Sequence, residues 1–359
     1  MQLIQPRKWP RSGIATHPPR VLQLALSAVN TPMNANSVAR PNSFLPQADA
    51  WLEGCCLPKR LAVGYSGGAD STALLLALHG LGHEVVAWHV DHGWHVNSAE
   101  QADDLARQAH IWGIEFHSAN VCAVSTRNRE AAARNARYAQ FSLWSERQKI
   151  GTLCLAHHHD DQAETVCMRM LQGAGIAGCM GMKSVREVNQ LCIVRPLLQV
   201  PKSALQEALR GAGIGWLEDA SNRDTTLMRN HIRHHLFPCM RRYGVDPLEL
   251  FGRWRIQASR FAVLVDAQAS KVGIQRKEGG VNVSWNAWRE MSGPVRACIL
   301  QRMTAELFGK GVVLGRRHII LAELWLKKGG RNGIDLSRCR LSHRGQRLHL
   351  ASSTVSLHR

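Results

Sequence analysis

Hydrophobic and polar positions follow two alternating patterns from residue 61 onward. Short apolar runs, typical of buried strands, occupy residues 61–65, 84–90, 114–118, 152–156 and 192–194. Segments with apolar residues at helical spacing lie between them, at residues 70–79, 98–112, 129–148 and 161–171. Because strands that alternate with helices form parallel sheets covered on both faces, the pattern predicts a Rossmann-like α/β fold with helices on both faces. Ligands of such folds bind at the carboxyl ends of the strands.

The last part of the chain has a different pattern. Helical spacing covers residues 201–209, 225–240, 247–272, 294–308 and 316–327, and a short strand-like tail follows around residues 340–350. We therefore predict an α/β domain at residues 56–243, followed by a smaller, mainly helical domain at residues 244–359. Seven of the 13 prolines precede residue 51, and we expect residues 1–55 to be a disordered basic extension.

Charge separates the two predicted domains further. The chain has 45 lysines and arginines against 27 acids, a formal charge of +18. Residues 241–359 carry 22 of the bases and 8 of the acids, so +14 of that charge lies there. Arginine dominates, and its planar guanidinium suits bidentate contact with phosphate, so a polyanionic partner is expected for this region. RNA, DNA and an anionic membrane surface all fit the charge alone.

Two further features concern the compartment. No run of 18 apolar residues occurs, which excludes a membrane-spanning helix. The ten cysteines include no C-x-x-C pair and none of the spacings of a structural zinc site. We expect mostly buried thiols in a reducing compartment, the cytoplasm.

The strongest local motif is L-A-V-G-Y-S-G-G-A-D-S at residues 61–71, where a buried strand runs into two glycines and then a helix. Gly67 and Gly68 allow backbone N–H groups to converge on an anion, and the helix N-terminus adds its positive end. Ser66 and Ser71 can donate hydroxyl groups to phosphate, whereas Asp70 is better suited to Mg²⁺. The alternative is a tight turn with Asp70 as a capping acid. The chain contains neither G-x-x-x-x-G-K-[ST] nor G-x-G-x-x-G after the first strand, which argues against kinase, GTPase and dehydrogenase functions.

A second motif, A-H-H-H-D-D-Q-A-E-T at residues 156–165, follows the fourth predicted strand. Asp161 and Glu164 are three residues apart, so a helix beginning there places both carboxylates on one face of its first turn, with His157 close by. Two alternatives remain open: Asp160 or Asp161 only caps the helix, or the three histidines bind a metal.

Two arginine-bearing segments complete the set. In E-A-A-A-R-N-A-R-Y, residues 130–138, the side chains of Glu130, Arg134, Arg137 and Tyr138 share one helix face, which is either functional or a solvated ion-paired surface. A turn of W-L-E-D-A-S-N-R-D at residues 216–224 precedes R-N-H-I-R-H-H-L-F-P at residues 229–238. Arg229 and Arg233 lie one helical turn apart there and could bind phosphate together.

The S-G-G-A-D-S string resembles the pyrophosphate loop of the N-type ATP pyrophosphatases, the PP-loop family, which cleaves ATP to AMP and pyrophosphate. The order of motifs is similar to that of the tRNA(Ile)-lysidine synthetase family within it. S-G-G-A-D-S is followed by H-V-D-H-G at residues 89–93, E-x-x-x-R-x-x-R-Y, H-H-H-D-D-Q-A-E-T, L-Q-G-A-G-I-A-G at 171–178, R-P-L-L at 195–198 and R-N-x-I-R at 229–233. The resemblance is dense over about residues 58–240. The N-terminal extension has no counterpart in it, and a further C-terminal domain of longer members is expected to be missing.

This resemblance implies a function and roles for single residues. The family adenylates C2 of cytidine 34 in the CAU anticodon of an isoleucine tRNA with ATP and Mg²⁺, and free L-lysine then displaces AMP to give lysidine. Carried over, Ser66, Gly67, Gly68, Ala69, Asp70 and Ser71 bind ATP, with Asp70 also the Mg²⁺ ligand. Asp70, His157, Asp161 and Glu164 are the catalytic set. Asp161 and Glu164 hold the lysine amino groups, and Arg137, with Arg134 as the alternative, holds its carboxylate. Arg229 and Arg233 contact the tRNA.

Other functions remain open at this point. A PP-loop tRNA thiolase of the 2-thiocytidine type uses the same loop, and a non-catalytic RNA-binding protein or a small-molecule ligase resembling amidotransferases could also contain it. The sequence determines neither the oligomeric state, for which a homodimer is one option, nor how the isoleucine tRNA is distinguished from the methionine tRNA with the same anticodon. No membrane partner is expected.

Overall fold

The computed structural model describes residues 54–91, 98–121, 129–218, 224–277, 279–309 and 312–353, together with Leu45 and Leu52, while the side chains at 99, 129 and 130 are outside the description. The expectation that residues 1–55 are disordered concerns residues that lie almost entirely outside this range. Contacts within the chain divide it into two compact units. The first comprises residues 1–164 and 182–248, and the second comprises residues 165–181 and 249–359.

The first unit contains a six-stranded, mostly parallel sheet. Its strands are β1 (Arg60–Gly64), β2 (Glu84–Asp91), β3 (Glu115–Asn120), β4 (Thr152–Cys154), β5 (Val185–Val188) and β6 (Leu191–Val194). Their order is β3-β2-β1-β4-β6-β5, and of these neighbouring pairs β5–β6 is antiparallel. All five strands predicted from the apolar runs are present, and the predicted Rossmann-like fold is confirmed.

Helices cover both faces of this sheet. The helices of this part of the chain are α1 (Ala69–Gly80), α2 (Ser98–Ile111), α3 (Arg129–Gln148), α4 (His159–Leu171) and α5 (Lys202–Gly211), and all but α4 supply residues to the two core clusters beside the sheet. In the central strand β1, Leu61 and Val63 point into one core cluster with residues of α1, α2 and α5, whereas Ala62 points into a second cluster with residues of α3. Because successive side chains of a strand face opposite sides, β1 is buried from both directions, which explains its unbroken apolar sequence.

The helical segment that follows α5 contains an irregular turn. It runs from α6 (Met228–His231) through a π-helical turn at Ile232–Leu236 into α7 (Phe237–Arg242), with Pro238 just after the π turn. Proline lacks the backbone N–H that an α-helix requires of an interior residue, and the wider turn lies where that donor is missing.

Strand β5 was not predicted. Its residues are V-R-E-V, of which the middle two are exposed, so it has no apolar run. It is joined to β6 by Asn189 and Gln190, both with positive φ (47° and 68°), as in a type I′ hairpin. Asn-Gln is a weak signal for such a turn compared with Asn-Gly, and the sequence pattern therefore gave no indication of a hairpin.

The second unit combines helices with an antiparallel sheet. The helices are α8 (Pro247–Ser270), α9 (Trp285–Arg289), α10 (Gly293–Phe308) and α11 (Arg316–Lys327). The strands β7 (Gln275–Lys277), β8 (Gly280–Ser284), β9 (Ile334–Leu336), β10 (Cys339–Arg344) and β11 (Arg347–Ser352) are ordered β7-β8-β11-β10-β9. The predicted helices are present. The sequence predicted only the tail that forms β10 and β11. It missed β7, which is fully exposed, and β9, whose three residues are too few for an alternating pattern, and it also missed the buried β8.

Among the described helices, none combines the length and the apolar character needed to cross a bilayer.

Candidate active site

The candidate site lies where the strand order of the first sheet reverses. The central strand β1 pairs with β2 on one side and with β4 on the other, so that Val63 is opposite both Ala87 and Cys154. The loops that follow β1 and β4 diverge at such a point and leave a crevice at the carboxyl ends of the strands. A cavity of about 230 Å³ lies there, lined by Gly64, Tyr65, Ser66, Gly68, Asp70, Ser71, Trp88, Val90, Arg134, Arg137, Tyr138, Phe141, Leu155, Ala156 and His157.

Residues 66–71, here called the glycine loop, connect β1 to α1. Gly67 has φ +77°, and a Cβ at this position would lie 2.5 Å from Leu105 Cδ2. The Ser71 hydroxyl donates to the Gly68 carbonyl (3.0 Å) and accepts from the Ser66 backbone N–H (3.2 Å), and it lies 3.1 Å from the Ser66 hydroxyl. The first N–H groups of α1 have no partners within the helix, so they are available to an anion in the cavity.

Asp70 lines the same cavity. Its Oδ1 atom is buried and has no hydrogen-bond partner, and its Oδ2 atom lies 3.5 Å from His158 Nε2. The described residues include no group of three or more His, Cys, Asp or Glu side chains able to hold a metal ion, so the tri-histidine interpretation gains no support. A single open carboxylate does fit Mg²⁺, which binds through one or two carboxylates, water and substrate phosphates.

A second group of residues, the charged cluster, consists of His158, Asp160, Asp161, Glu164, Arg229 and Arg233. Asp161 sits in the first turn of α4, and its Oδ2 accepts from the backbone N–H of His158, the residue before the helix (3.1 Å). This contact is the second half of a capping box, in which a side chain in the first turn reaches back to the preceding N–H. Asp161 therefore does cap the helix, as the alternative interpretation held, through this one contact.

His158 is almost fully buried and lies among three carboxylates. Its Nε2 is 3.5 Å from both Asp70 Oδ2 and Asp161 Oδ2, and its Nδ1 is 3.5 Å from Asp160 Oδ2. Burial lowers the pKa of His158, but the surrounding carboxylates outweigh it and raise the pKa to about 10. Burial raises the pKa of Asp160, but His158 and the backbone N–H of Lys202 (3.0 Å) outweigh it and lower the pKa to about 2. His158 is thus a buried cation at neutral pH.

Glu164 is paired with both arginines of the cluster. Arg233 donates from Nε to Oε1 (2.7 Å) and from Nη2 to Oε2 (3.0 Å), and Arg229 Nε lies 3.5 Å from Oε2. Burial raises the pKa of Glu164, with Arg233 opposing the shift. Burial also raises the pKa of Asp161, but the positive charges of His158 and Arg229 and the backbone N–H of His158 outweigh it, and the net shift is downward. The two acids, three residues apart, thus have pKa shifts of opposite sign.

His157 faces the cavity and is uncharged. Burial is the largest cause of a shift that lowers its pKa to about 3. Asp161 opposes this shift, and the nearby arginines Arg195, Arg229 and Arg134 add to it. Its Nδ1 atom is buried without a hydrogen-bond partner. A neutral imidazole with an open nitrogen can accept a proton from a ligand.

Helix α3 forms the opposite wall of the cavity. Arg134 Nη2 donates to the Tyr138 hydroxyl (3.3 Å), and its guanidinium carbon lies 5.1 Å from the centre of the Tyr138 ring. Arg137 lines the cavity beside them. The side chain of Glu130, residues 92–93 of H-V-D-H-G and the turn residues Asp219, Ser221 and Asn222 lie outside the described residues.

The sequence did not single out Arg195 as a site residue. It is buried at the end of β6, in R-P-L-L, and donates from Nη1 to the carbonyl of Lys183 (2.9 Å). Burial lowers its pKa, with Tyr138 opposing the shift. An arginine directly after an apolar strand was the available signal, because parallel strands end at the ligand-binding edge. The role of His158 was also missed, since the sequence could not show which of three adjacent histidines turns inward.

The structure divides the predicted site residues into two groups. Ser66, Gly68, Asp70, Ser71, Arg137 and His157 line the cavity. Asp161, Glu164, Arg229 and Arg233 belong to the charged cluster and are not among the lining residues. The two groups are connected by Asp70 and His158, because Asp70 Oδ2 lies 3.5 Å from His158 Nε2.

The fold, the switch-point cavity and the glycine loop are those of a nucleotide-binding α/β protein. Residues 47–240 match the family described as the PP-loop domain, which is more than half of the chain, and the chain belongs to this family. The predicted family membership is thereby confirmed.

Particular relatives are similar to the chain over part of its length. The tRNA(Ile)-lysidine synthase of Chlamydia pneumoniae is 37% identical over 210 residues, which cover 58% of this chain and 63% of that protein. The tRNA(Ile)-lysidine synthase of Pseudomonas fluorescens (strain Pf0-1) is 33% identical over 235 residues, 62% of this chain and 48% of that protein. The chain thus spans between about half and two thirds of the length of these relatives. Among solved structures, the U34-tRNA thiolase NcsA from Methanococcus maripaludis has a TM-score of 0.49 at 15% identity and covers 61% of this chain and 79% of that one.

Proposed function

We propose that the protein uses ATP to ligate lysine to C2 of cytidine 34 in the CAU anticodon of tRNA(Ile), giving lysidine, AMP and pyrophosphate. The observation that carries the proposal is a single cavity at the strand ends, lined both by the glycine loop and by His157 and Arg137. The similarity to tRNA(Ile)-lysidine synthases, at 33–37% identity, supports the same reaction.

The glycine loop would hold ATP. The N–H groups at the start of α1 and the hydroxyls of Ser66 and Ser71 are donors for the phosphates, and Gly67, Gly68 and Ala69 let the backbone approach closely. Asp70 Oδ1, buried and without a partner, would bind Mg²⁺, which neutralises charge on the phosphates when bound. In the first step, the cytidine C2 oxygen forms a bond to the α-phosphorus and pyrophosphate leaves.

The second step needs an uncharged lysine amine. The ε-ammonium group has a free pKa near 10.4, so the neutral amine costs about 4–5 kcal/mol at pH 7. Asp161 and Glu164 would attract the ammonium group, and Arg137 would bind the lysine carboxylate. Glu164 is already bonded to Arg233 at two atoms, so His157, with its open Nδ1 in the cavity, is the better placed proton acceptor. The amine nitrogen then bonds to C2, and AMP leaves with the C2 oxygen.

The second domain would hold the tRNA backbone through its charge of +14 over residues 241–359. Arg229 and Arg233 would contact the tRNA next to the cavity, and Arg229 is the more exposed of the two. The affinity for tRNA should fall steeply as salt is raised, because phosphate contacts release counterions.

Mass spectrometry of nucleosides tests the proposed function directly. Unmodified tRNA(Ile) with a CAU anticodon is incubated with the protein, ATP and lysine, then digested, and lysidine is the expected product. Asp161→Ala should abolish lysine transfer, and circular dichroism checks its folding. Sulfur in the modified nucleoside would instead identify a thiolase. Lack of lysidine, together with lack of pyrophosphate exchange into ATP, would leave an RNA-binding protein.

A further inference from the structure

The glycine-rich segment after α4, L-Q-G-A-G-I-A-G at residues 171–178, has no role in the reaction above. In the second unit it forms one side of a groove of about 170 Å³, and α8 forms the other. The lining residues, here called the Trp254 groove, are Met170, Ala174, Ile176, Cys179, Trp254 and Ala258. None of these six residues is charged.

Two arginines fix the shape of the segment. Arg169 donates from Nη1 to the carbonyls of Gly178 and Gly181 (both 2.8 Å), and Arg316 donates from Nη1 to the carbonyl of Gly173 (2.7 Å). A side chain at Gly173 would collide with the Arg316 guanidinium. The groove is therefore formed before any ligand arrives, and guanidinium groups lie next to the segment that forms it.

The largest apolar residues of the groove are exposed, whereas Cys179 and Ala258 are buried. Trp254 is 46% exposed and Ile176 is 48% exposed. Exposed apolar clusters mark binding sites, and the guanidinium groups of Arg169 and Arg316, bonded to the segment that forms one side of this groove, favour an anionic partner. Proteins bind unstacked bases of single-stranded RNA by combining an exposed aromatic ring with positive charge along the backbone path, and this groove offers the ring of Trp254 in a cationic part of the chain.

We propose that the Trp254 groove binds one unstacked nucleobase of the tRNA, stacked on the Trp254 ring, with Arg316 at the adjoining phosphate. The proposal rests on the proposed function, because it takes tRNA as the substrate. Size agrees with this ligand: a cavity of about 150 Å³ holds benzene, so the groove accommodates a planar ring. The +14 charge of residues 241–359 favours a nucleic acid over a second, equally cationic copy of this chain.

Binding of a fluorescent CAU anticodon stem-loop tests the groove. Trp254→Ala should weaken binding by roughly 5- to 150-fold, which corresponds to the ~1–3 kcal/mol of one base–aromatic stack, and Trp254→Phe should retain most of the affinity. Val263→Ala is the matched control, since Val263 lies on the same helix, is 68% exposed and does not line the groove. Its affinity should equal that of the wild type.

Two results would overturn the groove assignment. Trp254→Ala could bind the stem-loop as the wild type does, or it could leave RNA binding unchanged and convert a dimer to a monomer in sedimentation, which would make the groove a contact between copies.

The proposed function can fail independently of the groove assignment. Loss of stem-loop affinity in Trp254→Ala without lysidine formation by the wild type would leave the base site standing, whereas lysidine formation with an unaffected Trp254→Ala variant would remove only the base site.

Discussion

The glycine loop and the charged cluster lie next to each other and are built on opposite principles. The glycine loop presents backbone N–H groups and two hydroxyls, and its shape depends on the absence of side chains at Gly67. The charged cluster groups three acids, of which Asp161 and Glu164 are buried, with three cations, so its stability depends on each charge having a partner. We therefore expect the loop to be sensitive to the size of a substituted residue and the cluster to be sensitive to its charge.

The largest effect is expected from Arg233→Met. It leaves Glu164, whose side chain is 2% exposed, without its bidentate partner. Breaking a buried ion pair from one side costs about 3–5 kcal/mol, and urea denaturation measures this loss. The double variant Arg233→Met with Glu164→Met removes the unpaired charge and should recover most of the stability. A loss below about 1 kcal/mol in the single variant would show that the cluster does not depend on this pair.

The next effect is a pH dependence that belongs to His158. Its pKa is raised from 6.5 to about 10, so the folded chain binds this proton more tightly than the unfolded chain. The stability from this proton is fully present below about pH 6.5 and is lost as the pH rises toward 10. His158→Gln should lose on the order of a few kcal/mol at pH 6 and show less of the decline between pH 7 and 10. Equal pH slopes in the two proteins would contradict a charged His158.

Gly67→Ala tests the loop by size. The new methyl group would lie 2.5 Å from Leu105 Cδ2 at φ +77°, and overpacking of this kind costs about 1–3 kcal/mol. Gly82→Ala is the control: φ is also positive there (+85°), but nothing lies within 4 Å of the added Cβ. Nucleotide affinity, measured by calorimetry, should fall only in Gly67→Ala. An equal fall in nucleotide affinity in both variants would mean that backbone strain, and not the space around Gly67, limits the loop.

The smallest effect is expected from Arg60→Gln. Arg60 and Glu115 form an ion pair of 3.0 Å, and their side chains are 47% and 49% exposed. Exposed pairs contribute less than about 1 kcal/mol because water and salt screen them. Thermal unfolding at low and high salt should show a small, salt-dependent difference. A loss of stability as large as that expected for Arg233→Met would contradict the distinction between buried and exposed ion pairs.

The sequence was most informative where structure depends on neighbours along the chain. The first parallel sheet and the glycine loop were predictable because an apolar run, two glycines and a helix follow one another within eleven residues. The spacing of Asp161 and Glu164 also predicted their common helix face. In contrast, the sequence did not indicate that Glu164 pairs with Arg233, because the two residues are 69 positions apart and helical spacing relates only residues of one helix.

Other features that the sequence did not indicate have a similar cause. His158 acquires its charge from Asp70, Asp160 and Asp161, and two of these lie beside it in sequence while the third comes from the loop after β1. Strand β5 and the short edge strands of the second sheet are held by pairing with neighbours and not by their own residues. Such partners are set by tertiary structure, which single-chain periodicity does not contain.

The π turn at Ile232–Leu236 holds one residue more than an α-helical turn would. If one residue were deleted there, the turn could close as an α-helical turn, and the later side chains of the segment, the buried Phe237 among them, would keep their directions. If one residue were deleted from α6 or α7 instead, every later side chain of the segment would rotate by about 100°. A one-residue gap within the π turn of a related gene would therefore be compatible with the same arrangement of the arginine-bearing helix, whereas a gap on either side of the turn would not.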